Sequence, residues 1–160
     1  MLKLIPTLLV TLIFFSCSDN SQKLSELKKQ VMELRKEVKD SYKSGFGEFM
    51  SNIQIHHAKL WFAGVNQNWQ LADFEIHEIE ETLGDILKYQ SGREESKSLN
   101  VINAPLDSVK SAITKKQLNL FKASFTTLTT TCNSCHEAVK FNFNKVRIPD
   151  TPPFSNQEFK

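Results

Sequence analysis

The sequence predicts an all-α fold: an antiparallel four-helix bundle of the up-down-up-down kind, preceded by a signal segment and an amphipathic stalk helix. Three observations predict it. Apolar residues recur at alternating steps of three and four in four successive segments, the period of a helix with one buried face. The connections between these segments are mostly short and carry Gly and Asn. No segment shows apolar alternation backed by hairpin turns.

The chain of 160 residues suffices for one domain with a core and is too short to expect two. Its 20 basic and 18 acidic residues nearly balance, so no electrostatic case exists for nucleic acid as a partner. Residues 1–16 read as a targeting segment: Lys3 gives a short positive region, residues 4–15 an apolar run, and Ser16 stands before Cys17. This pattern resembles a bacterial lipoprotein signal, although Phe14 occupies the place where that signal usually has Leu. The resemblance implies an exported protein whose mature N-terminus is Cys17. Lipid on that residue would anchor it to a membrane, facing the periplasm or the cell exterior. The alternative is an uncleaved membrane-spanning helix, which needs about 20 apolar residues; the run here is shorter.

Residues 18–22 are small and polar, fitting a flexible tether. Leu24, Leu27, Val31, Leu34 and Val38 then form the apolar stripe of the stalk helix, which ends at Ser44-Gly45. Under three heptads long, the stripe favours a stalk or a packed extension over an oligomerisation zipper. The first bundle helix carries Phe46, Met50, Ile53, His57, Leu60 and Gly64 on its seam, with Gly64, Asn66 and Asn68 as stop and turn chemistry. Trp69, Ala72, Ile76, Ile79, Leu83 and Ile86 mark the second, which Ser91-Gly92 ends, and residues 91–100 read as loop. The third runs from about Pro105, with Leu106, Val109 and Ile113 inward and Pro105 acceptable in a first turn. The fourth is the most regular: Leu118, Phe121, Phe125, Leu128, Cys132, Cys135 and Val139, which places both cysteines toward the core. Beyond Phe141 the periodicity stops, and Pro149, Pro152 and Pro153 exclude a continued helix. The expected organisation is a signal at 1–16, a tether and stalk at 17–44, the bundle at 45–143 and an extended tail at 144–160.

The chemistry concentrates in Cys132-Asn133-Ser134-Cys135-His136. On a helix, cysteines three apart share a face, and a histidine directly after the second lies four residues from the first. That spacing delivers two thiols and an imidazole to one side, as covalent attachment of a c-type haem requires: thioethers at Cys132 and Cys135, iron at His136. The same five residues also serve zinc or thiol redox chemistry elsewhere. Structural zinc wants a second ligand pair, which is missing here, and His56 and His57 point about 100° apart on a helix. Thioredoxin-type chemistry expects a βαβ setting. Export favours haem, one per chain.

A Cys-x-x-Cys-His near the end of the last helix of a four-helix bundle resembles the class II cytochromes c, the cytochrome c′ group. By architecture the resemblance covers residues 46–143, and its sharp motif is Cys132 to His136. Residues 57–64, Asn68-Trp69 and residues 152–157 also look like segments of uncharacterised bacterial haem lipoproteins. The class II resemblance implies a sixth iron position that often faces an apolar side chain, and chains that are often dimers.

In such a bundle the first and fourth helices run antiparallel and meet near Gly64 and Lys116. His136 then lies about 29 Å down the axis at 1.5 Å per residue, level with residues 46–50. Met50 is therefore the candidate sixth ligand, its thioether raising the potential, with core filler as the alternative. His57 lies roughly 10 Å higher and is the less favoured ligand, more naturally a buried histidine bonded to a neighbour. His56 is expected to be half exposed, and His77 solvated on a surface with Glu75, Glu78, Glu80 and Glu81. Phe121, Phe125, Phe141 and Phe143 are expected to wall the haem pocket. Trp61 and Trp69 read as core filling. Lys145 and Arg147 are candidates to pair with haem propionates, or else tail charges.

Three functions compete. A membrane-anchored one-electron carrier exchanging electrons with redox partner proteins leads, on the haem motif, the tether and the lack of any hydrolytic constellation; no acid–base group argues for an enzyme. A five-coordinate haem protein binding or sensing nitric oxide or carbon monoxide is second. A structural lipoprotein with a disulfide and no haem is third.

Overall fold

A computed structural model describes residues 5–41 and 44–160, and side chains at 20–38 and 44–160. The described chain is all-helical, without strands, and divides into two units, Met1–Lys43 and Ser44–Lys160. Among the described residues no helix is long and apolar enough to cross a membrane.

The first unit is one helix, α1 (Ile5–Ser41). It continues through residues 18–22, where the polar composition suggested a tether. The physical reason is that no Gly or Pro stands between Pro6, in the first turn, and Gly45. Its stripe residues Leu24, Leu27, Val31, Leu34 and Val38 are all exposed. The signal features of residues 1–16 and the side chain of Cys17 fall outside the described side chains.

The second unit begins with α2 (Phe46–Val65), α3 (Trp69–Tyr89) and the short α4 (Glu94–Lys97). A single 3₁₀ turn, Leu99–Ile102, leads into α5 (Asn103–Thr114), and α6 (Leu118–Ala138) follows. The 91–100 stretch is thus largely short helical turns, because Leu99 and Ile102 are apolar anchors that bury there. Helix α2 packs most extensively on α3 and α5 on α6, while α3–α5 and α2–α6 contacts complete the packing. Cross-helix pairs fix the directions. Asn52 bonds Thr82 and His56 bonds Glu75, so α2 and α3 are antiparallel; His57 meets Thr129 and Gly64 meets Phe121, so α2 and α6 are too.

The predicted seams form the main core of Leu60, Ala72, Ile76, Ile79, Leu106, Val109, Ile113, Phe121, Phe125 and Leu128. Trp61 and Trp69 pack on Phe121, with ring centroids 6.3 and 6.1 Å away. A smaller cluster of Phe49, Ile86 and Leu99 lies with Met50, Ile53 and Leu83 partly buried against it. Three helices end in the same way. Gln67, Lys116 and Lys140 adopt positive φ, and at each the next residue's N–H reaches back five residues to a carbonyl.

Three further expectations need correction. Gly64 is not a helix stop, since α2 runs past it to Val65. A Cβ there would sit 2.1 Å from the Phe121 ring, so the glycine exists to let α2 and α6 approach. We expect Gly64→Ala to cost about 1–3 kcal/mol through overpacking, more than the roughly 1 kcal/mol that alanine gains in helix propensity. Urea denaturation measures it, and a variant as stable as wild type contradicts the close approach.

The second correction concerns charge. Glu75 is fully buried rather than solvated, and His56 is buried at 9% exposure rather than half exposed. Glu75 Oε2 lies 2.7 Å from His56 Nδ1, and Lys59 Nζ lies 2.8 Å from Oε1, in ion-pair contact but off the hydrogen-bonding direction. His77, by contrast, is exposed as expected. The third concerns the tail. Residues 144–160 lack helix, yet they belong to the second unit: Phe159 is buried in the main core and packs tilted against Phe62, ring centroids 5.7 Å apart. An aromatic residue with no neighbouring period gives no sequence signal of burial.

Candidate functional site

The antiparallel register of α2 and α6 determines what lies beside the motif. Carried down from the Gly64–Phe121 and His57–Thr129 pairs, it brings Met50 level with His136. An apolar cleft opens there, with adjoining lobes of about 240 and 70 Å³ that share Met50, His57, Cys132 and His136. Helix α2 supplies one wall through Phe46, Met50, Ile53 and His57, and α6 the facing one through Cys132, Cys135 and His136, extended by Val139 just past its end. Ile79 and Leu83 of α3 and Leu99 and Ile102 floor the smaller lobe. Phe141, Asn144 and Val146 border the larger one.

Both cysteines are partly buried free thiols. Burial, and secondarily the neighbouring Cys135, pushes Cys132 up to about 11; burial also raises Cys135. These are protonated thiols, the reverse of the low-pKa thiolate that disulfide exchange needs. Among the described residues no three His, Cys, Asp or Glu side chains converge as a metal-ion cluster, which leaves a four-ligand zinc site without its partners.

His136 sits in the last turn of α6, half-buried, with Nδ1 2.7 Å from the Asn144 carbonyl oxygen. A carbonyl only accepts, so Nδ1 carries the proton, and in the neutral ring Nε2 keeps its lone pair. This is the arrangement by which proteins orient a metal-binding imidazole and raise its basicity. His57 is bound differently. Thr129 Oγ1 donates its proton to the Phe125 carbonyl at 2.9 Å and so accepts from His57 Nε2–H at 2.8 Å. Burial lowers the His57 pKa to about 4, so the ring is neutral. With Nε2 engaged in that bond, His57 is the buried, bonded histidine its position suggested.

Several expected pocket residues lie elsewhere. Phe121 and Phe125 are buried but do not line the cleft; Phe125 precedes Cys132 by two turns and packs on Trp61 and the His57 ring. Phe141 borders the cleft, whereas Phe143 is 79% exposed. Lys145 lies in a polar groove with Thr130, Asn133 and Glu137, and Arg147 points to solvent, paired with Asp150 at 3.1 Å. Neither lines the cleft, although their neighbours Asn144 and Val146 border it.

The cation at the cleft is instead Arg93, which the sequence did not reveal because it lies in an aperiodic stretch. Its guanidinium grips Glu95 through two bonds of 2.7 and 3.1 Å and stands 5.2 Å from the Phe46 ring centroid. Arg93 and Glu95 both line the larger lobe. Compared with known protein families, curated proteins and solved structures, the chain matches none.

Proposed function

We propose that this protein is a c-type cytochrome of the class II kind, a four-helix bundle with one haem c held by Cys132 and Cys135 and ligated by His136. Lipid on Cys17 anchors it to a membrane, where it passes single electrons between redox partner proteins. The observation that carries this reading is the chemistry of one cleft. Two protonated thiols and a histidine with Nε2 kept free by the Asn144 carbonyl share its wall, and mostly apolar side chains line the rest, with Arg93 and Glu95 at the border. The residues present fit the group.

Bound haem supplies a one-electron ferric–ferrous couple at a potential set by its ligands and surroundings. The chain's own residues do the remainder. Cys132 and Cys135 would hold the group against loss, and His136 would ligate its iron. Ile53, Leu83 and Val139 exclude water, and Arg93, paired with Glu95, is the cation at the cleft's border. Met50, on the wall opposite His136, is the candidate to supply a second ligand, its thioether then raising the potential.

The test is the chain produced with a haem-attachment system and run on a denaturing gel stained for haem. Wild type is expected to stay stained, and Cys132→Ala/Cys135→Ala to lose the stain completely. An unstained wild type overturns the proposal and leaves the structural lipoprotein reading. Carbon monoxide then separates carrier from gas binder. A reduced spectrum that ignores the gas in wild type and responds in Met50→Ala marks Met50 as ligand and the protein as a carrier. A wild type that already binds the gas makes it the gas-binding protein.

A further inference from the structure

We infer that Asn133, the first variable residue of the motif, is a positioning residue that sets the orientation and proton placement of His136. The inference rests on the haem reading for its consequence, though the geometry stands apart from it.

Asn133 precedes His136 by three residues and so shares its face of α6. Its carboxamide makes a two-point pairing with one residue beyond the helix: Nδ2 donates to the Val146 carbonyl at 2.8 Å, and Oδ1 accepts from the Val146 N–H at 2.8 Å. Asparagine can donate and accept in this paired way; aspartate loses the donor, and alanine loses both.

The segment so pinned is closed at its other end by the helix terminus. Lys140 takes positive φ, Lys140 N–H bonds the Glu137 carbonyl at 3.0 Å, and Phe141 N–H bonds the His136 carbonyl at 2.7 Å. Asn144 N–H bonds back to the Phe141 carbonyl at 2.9 Å. Asn144 is thereby held between two fixed points, and its carbonyl oxygen is the atom that accepts from His136 Nδ1. Releasing Asn133 frees Val146, two residues from that carbonyl. The ring would then lose the partner that keeps its proton on Nδ1.

The consequence is electronic as well as geometric. A histidine donating Nδ1–H to a carbonyl is a more basic ligand and favours the ferric state. Without that bond the ferric preference falls and the midpoint potential rises.

The test compares wild type, Asn133→Asp and Asn133→Ala as holoproteins. The readouts are Val146 amide exchange, His136 Nδ1–H exchange and midpoint potential. In Asn133→Ala we expect at least tenfold faster exchange at both protons. The potential should rise, by about 59 mV for a tenfold loss of ferric preference in a one-electron couple. Asn133→Asp, which keeps the acceptor for Val146 N–H, should fall between, and it carries the test where Asn133→Ala yields no holoprotein. Unchanged exchange at Val146 overturns the clasp. Faster Val146 exchange with His136 Nδ1–H and potential unmoved overturns the positioning role. A haem-free wild type overturns the functional reading instead, so the two failures are distinct.

Discussion

Glu75→Ala is expected to destabilise the second unit by about 3–5 kcal/mol, the cost of breaking a buried charge pair by removing one partner. Glu75 has no exposed surface, and its two oxygens face His56 Nδ1 and Lys59 Nζ, whose side chains are only 11% and 15% exposed. Removing the carboxylate leaves a lysine ammonium and an imidazole at the α2–α3 interface without the group that balanced them. Glu78, 3.8 Å from His56 Nε2 and one-third exposed, is placed to help the imidazole but not the lysine. Replacing the whole cluster, as in His56→Leu/Lys59→Met/Glu75→Leu, should recover most of the loss, since apolar residues of similar volume carry no desolvation cost. Chemical denaturation measures both. A Glu75→Ala cost below about 1 kcal/mol would place the cluster with exposed ion pairs, which contribute that little.

The same residue shows where sequence reasoning stops. Position 75 follows Ala72 by three and precedes Ile79 by four, so its spacing already marks the seam of α3. Its carboxylate reads as solvated only because burial of a charge depends on partners from another helix, and those become visible in space. The cysteine stripe was legible for the opposite reason: Phe121, Phe125, Leu128, Cys132 and Cys135 are all apolar or weakly polar, and period alone orders them. The level of Met50 was legible too, since two antiparallel helices meeting at a known end share one rise per residue. Contacts made by aperiodic segments were not. Arg93, Glu95, Asn144, Val146 and Phe159 reach the cleft or the core through turns whose path no pattern encodes. Phe121 and Phe125 were placed correctly in the core but wrongly at the cleft, because a stripe gives a face without saying which turns of it a cavity occupies.

Acid should destabilise the second unit well before its carboxylates as a class are neutralised, and His57 is the reason. Its pKa is lowered by burial from 6.5 to about 4, so the folded protein binds this proton less readily than the unfolded chain does. A depressed folded-state pKa contributes stability that is whole above pH 6.5 and is lost as pH falls through about 4. The shift corresponds to roughly 3 kcal/mol at about 1.4 kcal/mol per pH unit. Protonation also breaks the local bonding logic. Nε2 already donates to Thr129, whose own proton is committed to the Phe125 carbonyl, so a charged ring gains a second donor at Nδ1 against the wall of an apolar cleft. His57→Gln retains an N–H donor for Thr129 while removing the titration. Denaturation midpoints from pH 7 to pH 4 should therefore fall more steeply in wild type than in His57→Gln, the two curves diverging below pH 6.5. Parallel curves would mean that His57 is protonated in the folded state without penalty, which its burial against Phe125, with ring centroids 4.4 Å apart, argues against.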